Sequence, residues 1–179
     1  YSELIANNID IGVVAFPKEY LGVDVIQFKN DKLVLICNSN NELASLNEIN
    51  DISILNNLSM CSFEKDMPTR KHIDSLLDKG KAKVKVKMDF ENIEVIKKMV
   101  EIDDSVFSIV PENSVKKEVE KKNLVAIKLP EEFQREIGII IKKGKKLSKA
   151  AKNFIDLLQN FDPQNNTILE PCCNHNEEE

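Results

Sequence analysis

Apolar residues along the chain follow two patterns: short runs typical of strands, and spacings of three and four residues typical of helices. Helices are predicted over 46–53, 69–79, 91–101, 112–122 and 147–160, and residues 1–8 resemble the end of another helix. Strands are predicted over 9–16, 23–28, 32–38, 58–63, 83–90, 106–110, 124–129 and 136–143. Because strands and helices alternate, the pattern predicts an α/β fold with a largely parallel sheet.

The patterns of two of these segments predict which of their faces are buried and which are exposed to water. The helix over 147–160 has a wide apolar stripe, and the strand over 83–90 alternates strictly between apolar and charged positions. Charged residues along one face favour an edge strand exposed to water over a groove for nucleic acid. The stripe comprises Leu147, Ala150, Ala151, Phe154, Ile155 and Leu158, and the charged strand face comprises Lys83, Lys85, Lys87 and Asp89.

Composition narrows the class of protein. The 179 residues are 42% hydrophobic and 31% charged, which suits one domain or two small lobes. The formal net charge of -5 argues against a free-standing nucleic-acid binder, which normally carries a basic face. The sequence has neither a signal peptide nor an apolar run of about 18 residues, so we expect a cytoplasmic protein that does not cross a membrane.

The residues capable of chemistry do not form a recognisable constellation. Cys37 and Cys61 lie in strand-like runs and are expected to be buried hydrophobic residues. Cys172, Cys173 and His175 fall in an acidic tail, and adjacent cysteines lack the spacing of a zinc site. The sequence also lacks a glycine-rich phosphate loop. We therefore expect no cofactor, no metal and no enzymatic activity.

Five segments, taken in order, resemble the effector-binding domain of LysR-type transcriptional regulators. The first resembles the strand that closes the first half of that domain, the third its Thr-Arg turn and helix, and the last its returning strand and final helix. The segments are "NNIDIGVVAFP", "LVLICNSNNELASLNEIND", "SFEKDMPTRKHIDSLL", "VFSIVPENSVKKEVEKKNLVAIKL" and "REIGIIIKKGKKLSKAAKNFIDLL". Together they extend over residues 4–160.

The resemblance implies a two-lobed, periplasmic-binding-protein-like (type 2) fold with a small-molecule effector between the lobes. Residues 1–38 and 134–160 would form an incomplete first lobe, 39–133 the second lobe, and 161–179 a polar acidic tail. The opening portion of the first lobe and the winged helix-turn-helix are expected to be missing. Such a chain would sense an effector and oligomerise as a homodimer or homotetramer, and would reach DNA only through the missing N-terminal domain.

Three alternatives remain open at this stage. A free-standing small-molecule-binding protein of the same fold would lack a DNA-binding partner domain. A non-functional remnant of a regulator would have lost part of its first lobe. An enzyme on the same fold would need a clustered, charged cleft, which the sequence does not indicate.

The turn "FEKDMPTRKHID" carries the main candidate site. Free N–H groups at a helix N-terminus attract anions, and Thr69 and Arg70 keep the family pattern. Asp66 and Met67 stand where the family often has glycine and serine. Asp66 is spaced to cap the helix by accepting the Thr69 N–H, which would place a negative charge at the anion position. We therefore expect an effector that is neutral, cationic or bound through its hydroxyl, with Arg70 as either a carboxylate clamp or a surface ion-pair partner.

The remaining candidates come from the ends of two strands. Ala15, Phe16 and Pro17 follow the first predicted strand, and Val110 and Pro111 end the strand over 106–110. The family commonly has glycines just before that second strand. Asp104 and Val106 occupy the corresponding positions here, so their side chains are expected to narrow the cleft or change its polarity.

Overall fold

Strands and helices alternate along most of the chain in the computed structural model, which describes residues 1–162 and 167–168. Three short 3-10 turns also occur, at Glu42–Ser45, Ile52–Leu55 and Glu112–Ser114. The helices are α1 Ser2–Ile5, α2 Pro68–Lys79, α3 Ile93–Ile102, α4 Lys116–Glu120 and α5 Lys149–Asn160. The strands are β1 Ile11–Ala15, β2 Val23–Cys37, β3 Ser59–Phe63, β4 Lys85–Phe90, β5 Val106–Pro111, β6 Val125–Lys128, β7 Gln134–Lys142, β8 Phe161–Asp162 and β9 Thr167–Ile168.

The chain forms two compact units. One comprises residues 29–136, and the other comprises residues 1–28 together with the described residues from 137 onward. The divisions fall inside β2 and β7, so both strands belong partly to each unit. Most of the predicted acidic tail, including Cys172, Cys173 and His175, lies outside the described residues.

The unit of residues 29–136 is built on a mixed sheet with the order β6-β2-β5-β3-β4. β2 pairs antiparallel with both β5 and β6, whereas β3 pairs parallel with β5 and β4. The prediction of a largely parallel sheet was therefore wrong. β2 runs opposite to its two neighbours, while β5 and β6, joined through α4, share one direction. Strand β4 lies at the end of this order with Lys85 and Lys87 exposed, which confirms the predicted edge strand.

The core of this unit lies between the sheet and its helices. Phe107, Leu35, Ile36, Met60 and Ile96 are at most 1% exposed. Cys37 and Cys61 are also buried, as predicted, and burial raises the pKa of each thiol to about 11. Both side chains therefore remain protonated at neutral pH and pack as small hydrophobic residues.

In the other unit, β1 pairs antiparallel with β7, from Ile11 opposite Ile141 to Ala15 opposite Ile137. Gly138 allows β7 to lie close to Pro17, because a β-carbon at position 138 would lie 2.8 Å from the Pro17 Cγ atom. The predicted apolar stripe of α5 is only partly covered. Ala151 and Ile155 are buried, whereas Phe154 is 47% exposed.

The predicted helix over 46–53 was wrong. The side chains of Asn41 and Asp51 accept hydrogen bonds from the N–H groups of Leu43 and Ser53, which begins a 3-10 turn on each side of this segment. Between the turns, the Ile49 N–H donates to the Lys128 carbonyl at 2.8 Å. Local side-chain bonds and pairing alongside β6 thus replace the helical hydrogen bonds that the spacing suggested.

The predicted strands over 23–28 and 32–38 are one continuous strand, β2. The prediction divided this strand at residues 29–31, which are polar. One of them, Asp31, is only 8% exposed and forms ion pairs with Lys29 and Arg135. Ion pairs with one local and one distant cation therefore stabilise a charged residue inside the strand, and β2 continues through it.

The loop between α3 and β5 provides a testable pH dependence. Hydrogen bonds from Lys87, at 2.8 Å, and from Ser105 lower the pKa of Asp103 from 3.8 to about 2. Because the folded-state pKa is depressed, this stabilisation is present above pH 3.8 and is lost as the pH falls towards 2. We expect Asp103→Asn to lower the melting temperature at neutral pH and the deficit to shrink on acidification. Asp104→Asn, at the exposed neighbouring position, should show no such pH-dependent difference; equal behaviour of the two variants would contradict this account.

Candidate functional site

The turn before α2 differs from its prediction in one respect. Met67, not Asp66, is the N-cap residue of α2, and no side chain caps the helix. The Met67 N–H donates to the Glu64 carbonyl at 3.0 Å, and this turn leaves Asp66 exposed. The predicted Asp66 cap was wrong, because Pro68 occupies the first helical position, where its fixed φ suits a helix start. The positive end of α2 is therefore not neutralised by a capping carboxylate.

A cleft of about 690 Å³ adjoins this helix start, within the unit of residues 29–136. Nine of its eleven lining residues lie at or after the carboxyl ends of β3, β4 and β5, which run parallel, and the other two lie in β2 and β7. In open α/β folds, ligands bind beyond the carboxyl ends of parallel strands. The volume of the cleft suits a small molecule. The lining residues are Asp31, Phe63, Met67, Thr69, Glu91, Asn92, Ile93, Pro111, Asn113, Ser114 and Arg135.

Thr69 is held at the cleft by its helix and is 5% exposed. Its hydroxyl Oγ1 lies 3.5 Å from Nη1 of Arg135, whose Nη2 lies 3.1 Å from Oδ2 of Asp31. Arg135 and Asp31 thus place a charged pair beside the start of α2. The sequence reasoning missed both residues. The available signal was a charged residue inside or next to an apolar strand, in "FKNDKLVL" and "FQREIGIII".

Arg70 does not line this cleft. Its side chain is 5% exposed; Nε lies 2.8 Å from Oδ1 of Asp74, and Nη1 donates to the Phe63 carbonyl at 2.7 Å. The guanidinium thus connects α2 to the end of β3 and supports the wall from which Phe63 projects. The hydrogen-bond donors of the Arg70 guanidinium therefore stabilise the fold.

The other predicted site residues are divided between the two units. Met67, Thr69 and Pro111 line the cleft together, whereas Val110 is fully buried in β5. Asp104 is exposed in the loop before β5, and Val106 is buried at its start.

Ala15, Phe16 and Pro17 belong to the other unit, where all three are half-buried. Phe16 has a φ of 53°, an uncommon left-handed conformation for a bulky residue. Their role in effector binding stays a prediction.

A second, smaller cavity of about 310 Å³ lies in the same unit, lined in part by Lys32, Glu112, Lys128 and Glu131. These four charged side chains are exposed to solvent. In contrast, the larger cleft contains Asp31, which is largely buried, and the start of a twelve-residue helix. The larger cleft is therefore the candidate site.

No cluster of three or more His, Cys, Asp or Glu residues that could hold a metal ion occurs within 1–162 and 167–168. The Nε2 atom of His72, on α2, lies 2.8 Å from the Gln134 carbonyl. In the same part of the chain, every helix is too short or too polar to span a bilayer.

Comparisons with known proteins identify the family. The family described as the LysR substrate binding domain matches residues 1–162. Among curated proteins, none matches the chain. Among solved structures, 88% of the chain superimposes on the regulatory domain of CcmR from Synechocystis PCC6803 in complex with 2-PG, with a TM-score of 0.76, 24% identity and 76% of that chain covered.

Two further solved structures match the fold of this chain. The effector-binding domain of QuiR in complex with shikimate matches 88% of the chain, with a TM-score of 0.75, 20% identity and 74% of that chain covered. The regulatory domain of the LysR family regulator MetR from N. meningitidis also matches 88%, with a TM-score of 0.70, 15% identity and 72% covered. At these identities the structures show the fold, which is periplasmic-binding-protein-like. Together with the family match they confirm the resemblance seen in the five sequence segments: the chain belongs to the LysR substrate-binding domain family.

Proposed function

We propose that this chain is the effector-sensing and oligomerisation domain of a LysR-type transcriptional regulator, and that its effector binds in the cleft beside Thr69. The observation that carries the proposal is the cleft itself. About 690 Å³ of space meets the uncapped start of α2 at the carboxyl ends of three parallel strands. The complexes of CcmR with 2-PG and of QuiR with shikimate support a small-molecule effector for this fold.

The walls of the cleft suit recognition of a small polar molecule with an apolar part. Phe63, Met67 and Ile93 offer apolar surface, and Asn113 offers an amide that both donates and accepts hydrogen bonds. The Asn92 amide oxygen accepts the Glu94 N–H at the start of α3, so Asn92 offers its amide N–H groups. Among the described residues that line the cleft, no hydrogen bond pairs a hydroxyl nucleophile with a carboxylate or imidazole base. We therefore infer a regulatory role, not a catalytic one.

The proposed mechanism is a shift between conformations. An effector that binds more tightly to one conformation of the domain increases the population of that conformation by its differential affinity. In a cytoplasmic homodimer or homotetramer, this shift would change the spacing of winged helix-turn-helix domains joined to the chain, and hence their binding to DNA.

Thermal unfolding against a panel of small metabolites tests the proposal. A ligand that binds only the folded state stabilises it by about 2.7 kcal/mol at a hundred-fold excess over its Kd. We expect Thr69→Val to weaken the binding of a stabilising metabolite about threefold to tenfold, because one hydrogen bond to the hydroxyl is lost.

The exposed Ser75 lies on the same helix, so Ser75→Ala serves as the control and should leave the affinity unchanged. A folded protein that no metabolite stabilises would overturn the proposal. So would a metabolite that binds the Thr69→Val variant as tightly as the unchanged chain.

A further inference from the structure

Arg135 is incompletely paired in the cleft. One terminal nitrogen, Nη2, lies 3.1 Å from Asp31 Oδ2, while Nη1 lies 3.5 Å from the Thr69 hydroxyl, at the limit of a hydrogen bond. The third nitrogen, Nε, is buried and has no hydrogen-bond partner among the described residues. A guanidinium favours two parallel bonds to one acceptor group, and the single carboxylate oxygen does not provide them.

Asp31 has a second cation beside it. Its Oδ1 atom is buried without a hydrogen-bond partner among the described residues, and Nζ of Lys29 lies 3.4 Å away. If Arg135 turned towards another anion, Asp31 would keep Lys29 as an ion-pair partner. The cost of leaving a buried carboxylate alone, which normally holds such a pair together, is therefore reduced.

The surroundings of Arg135 favour a ligand with one negative charge. The uncapped start of α2 presents N–H groups and the positive end of the helix dipole, and both attract an anion. The planar guanidinium matches the geometry of a carboxylate. Glu91 also lines the cleft, and its exposed carboxylate disfavours a second negative charge on the ligand.

We propose that the effector is a monocarboxylate, and that Arg135 recognises it in exchange for Asp31. In this exchange the guanidinium leaves Asp31 and forms paired hydrogen bonds with the effector carboxylate beside Thr69, while Lys29 stays with Asp31. The inference rests on the proposed effector site. It replaces the expectation of a neutral or cationic effector, because that expectation depended on the Asp66 cap.

Four probes that share one apolar ring and differ in charge test the proposal: cyclohexanecarboxylate, cyclohexyl phosphate, cyclohexanecarboxamide and cyclohexylmethylamine. Their affinities for the 179-residue chain are measured by calorimetry and by thermal shift. We expect cyclohexanecarboxylate to bind most tightly. Arg135→Gln should weaken its binding about tenfold or more, because a charge-assisted pair of hydrogen bonds is lost.

The decisive variant is Asp31→Asn, because it separates two roles for this carboxylate. If Asp31 competes with the effector, removing its charge frees Arg135, and carboxylate affinity should rise about threefold to tenfold. If Asp31 instead only positions Arg135, the affinity should fall, which would overturn the proposal. Asp78→Asn makes the same chemical change at the exposed far end of α2 and should leave the affinity unchanged.

The remaining outcomes separate this inference from the proposed function. Tighter binding of the phosphate, amide or amine probe, or binding of none of the four at millimolar concentration, would overturn the monocarboxylate inference. If carboxylate binding depended on Thr69 but not on Arg135 or Asp31, the effector site would stand and the exchange would be wrong. Failure of every compound in the wider metabolite panel would instead count against the site itself.

Discussion

Replacing Phe107 with alanine is expected to lower the free energy of unfolding of the unit of residues 29–136 by about 3–5 kcal/mol. The ring is 1% exposed, in a strand that has β2 on one side and β3 on the other. Truncation removes the apolar burial of the ring and leaves a cavity. Because both neighbouring strands are hydrogen-bonded to β5, they cannot move in to fill it.

Urea unfolding followed by far-ultraviolet circular dichroism measures this effect. Phe154→Ala is the matched control, because the same truncation there affects a side chain that is 47% exposed on α5. We expect it to cost less than about 1 kcal/mol. Similar losses for the two variants would mean that Phe107 does not contribute to the core in the way its burial indicates.

Replacing Lys97 with methionine is expected to cost about 2–3 kcal/mol, although the new side chain is nearly as long. The Lys97 ammonium is buried on α3, where it forms ion pairs with Glu118 and Glu94 at 2.8 Å each and donates to the Ser114 carbonyl at 2.9 Å. Burial by itself lowers the pKa of Lys97, but the hydrogen bonds to Glu118 and Glu94 outweigh it, so the pKa is raised. Lys97 therefore remains charged, and its loss leaves Glu118 and the Ser114 carbonyl unpaired.

The expected cost lies below the roughly 3–5 kcal/mol found when one member of a fully buried ion pair is removed. Glu94 is 68% exposed and Glu118 23% exposed, so water compensates part of the loss. Lys98→Met is the control on the same helix, since Lys98 is 65% exposed and, among the described residues, pairs only with Glu101 at the surface. It should cost less than about 1 kcal/mol, and equal costs in urea unfolding would contradict the role assigned to Lys97.

This lysine also matters for the candidate site. Ser114 lines the cleft, and its hydroxyl donates to the Pro111 carbonyl at 2.5 Å. Lys97 therefore helps to hold the 3-10 turn after β5 against α3. We expect the Lys97→Met variant to bind an effector less tightly, even under conditions where it is fully folded.

The bounds of helix α2 could be predicted from the local sequence, whereas its N-cap could not. The apolar spacing of Ile73, Leu76 and Leu77 predicted α2 to within a residue, because burial of one helical face determines where a helix forms. Its cap was predicted wrongly. The spacing of Asp66 and Thr69 permitted a capping bond, but the turn that begins at Glu64 made Met67 the cap instead.

The ion pair between Arg135 and Asp31 could not be predicted from the sequence. They are separated by 104 positions along the chain, yet 3.1 Å separates their charged groups. Nothing in the local pattern around either residue indicates the other, because their contact depends on two strands that meet only in the folded sheet. The same limit explains why two strands were predicted where β2 is continuous: Arg135, which pairs with Asp31 inside this strand, lies 104 positions away.

The pattern of apolar and polar residues was sufficient to predict the α/β class, most strands and helices, and the exposed edge strand with Lys85 and Lys87. These features depend on periodicity, which each segment carries by itself. Strand direction, the uncapped start of α2 and the charged pair beside Thr69 were decided by tertiary structure. Each of them depends on hydrogen bonds or ion pairs between segments whose proximity only the folded chain creates.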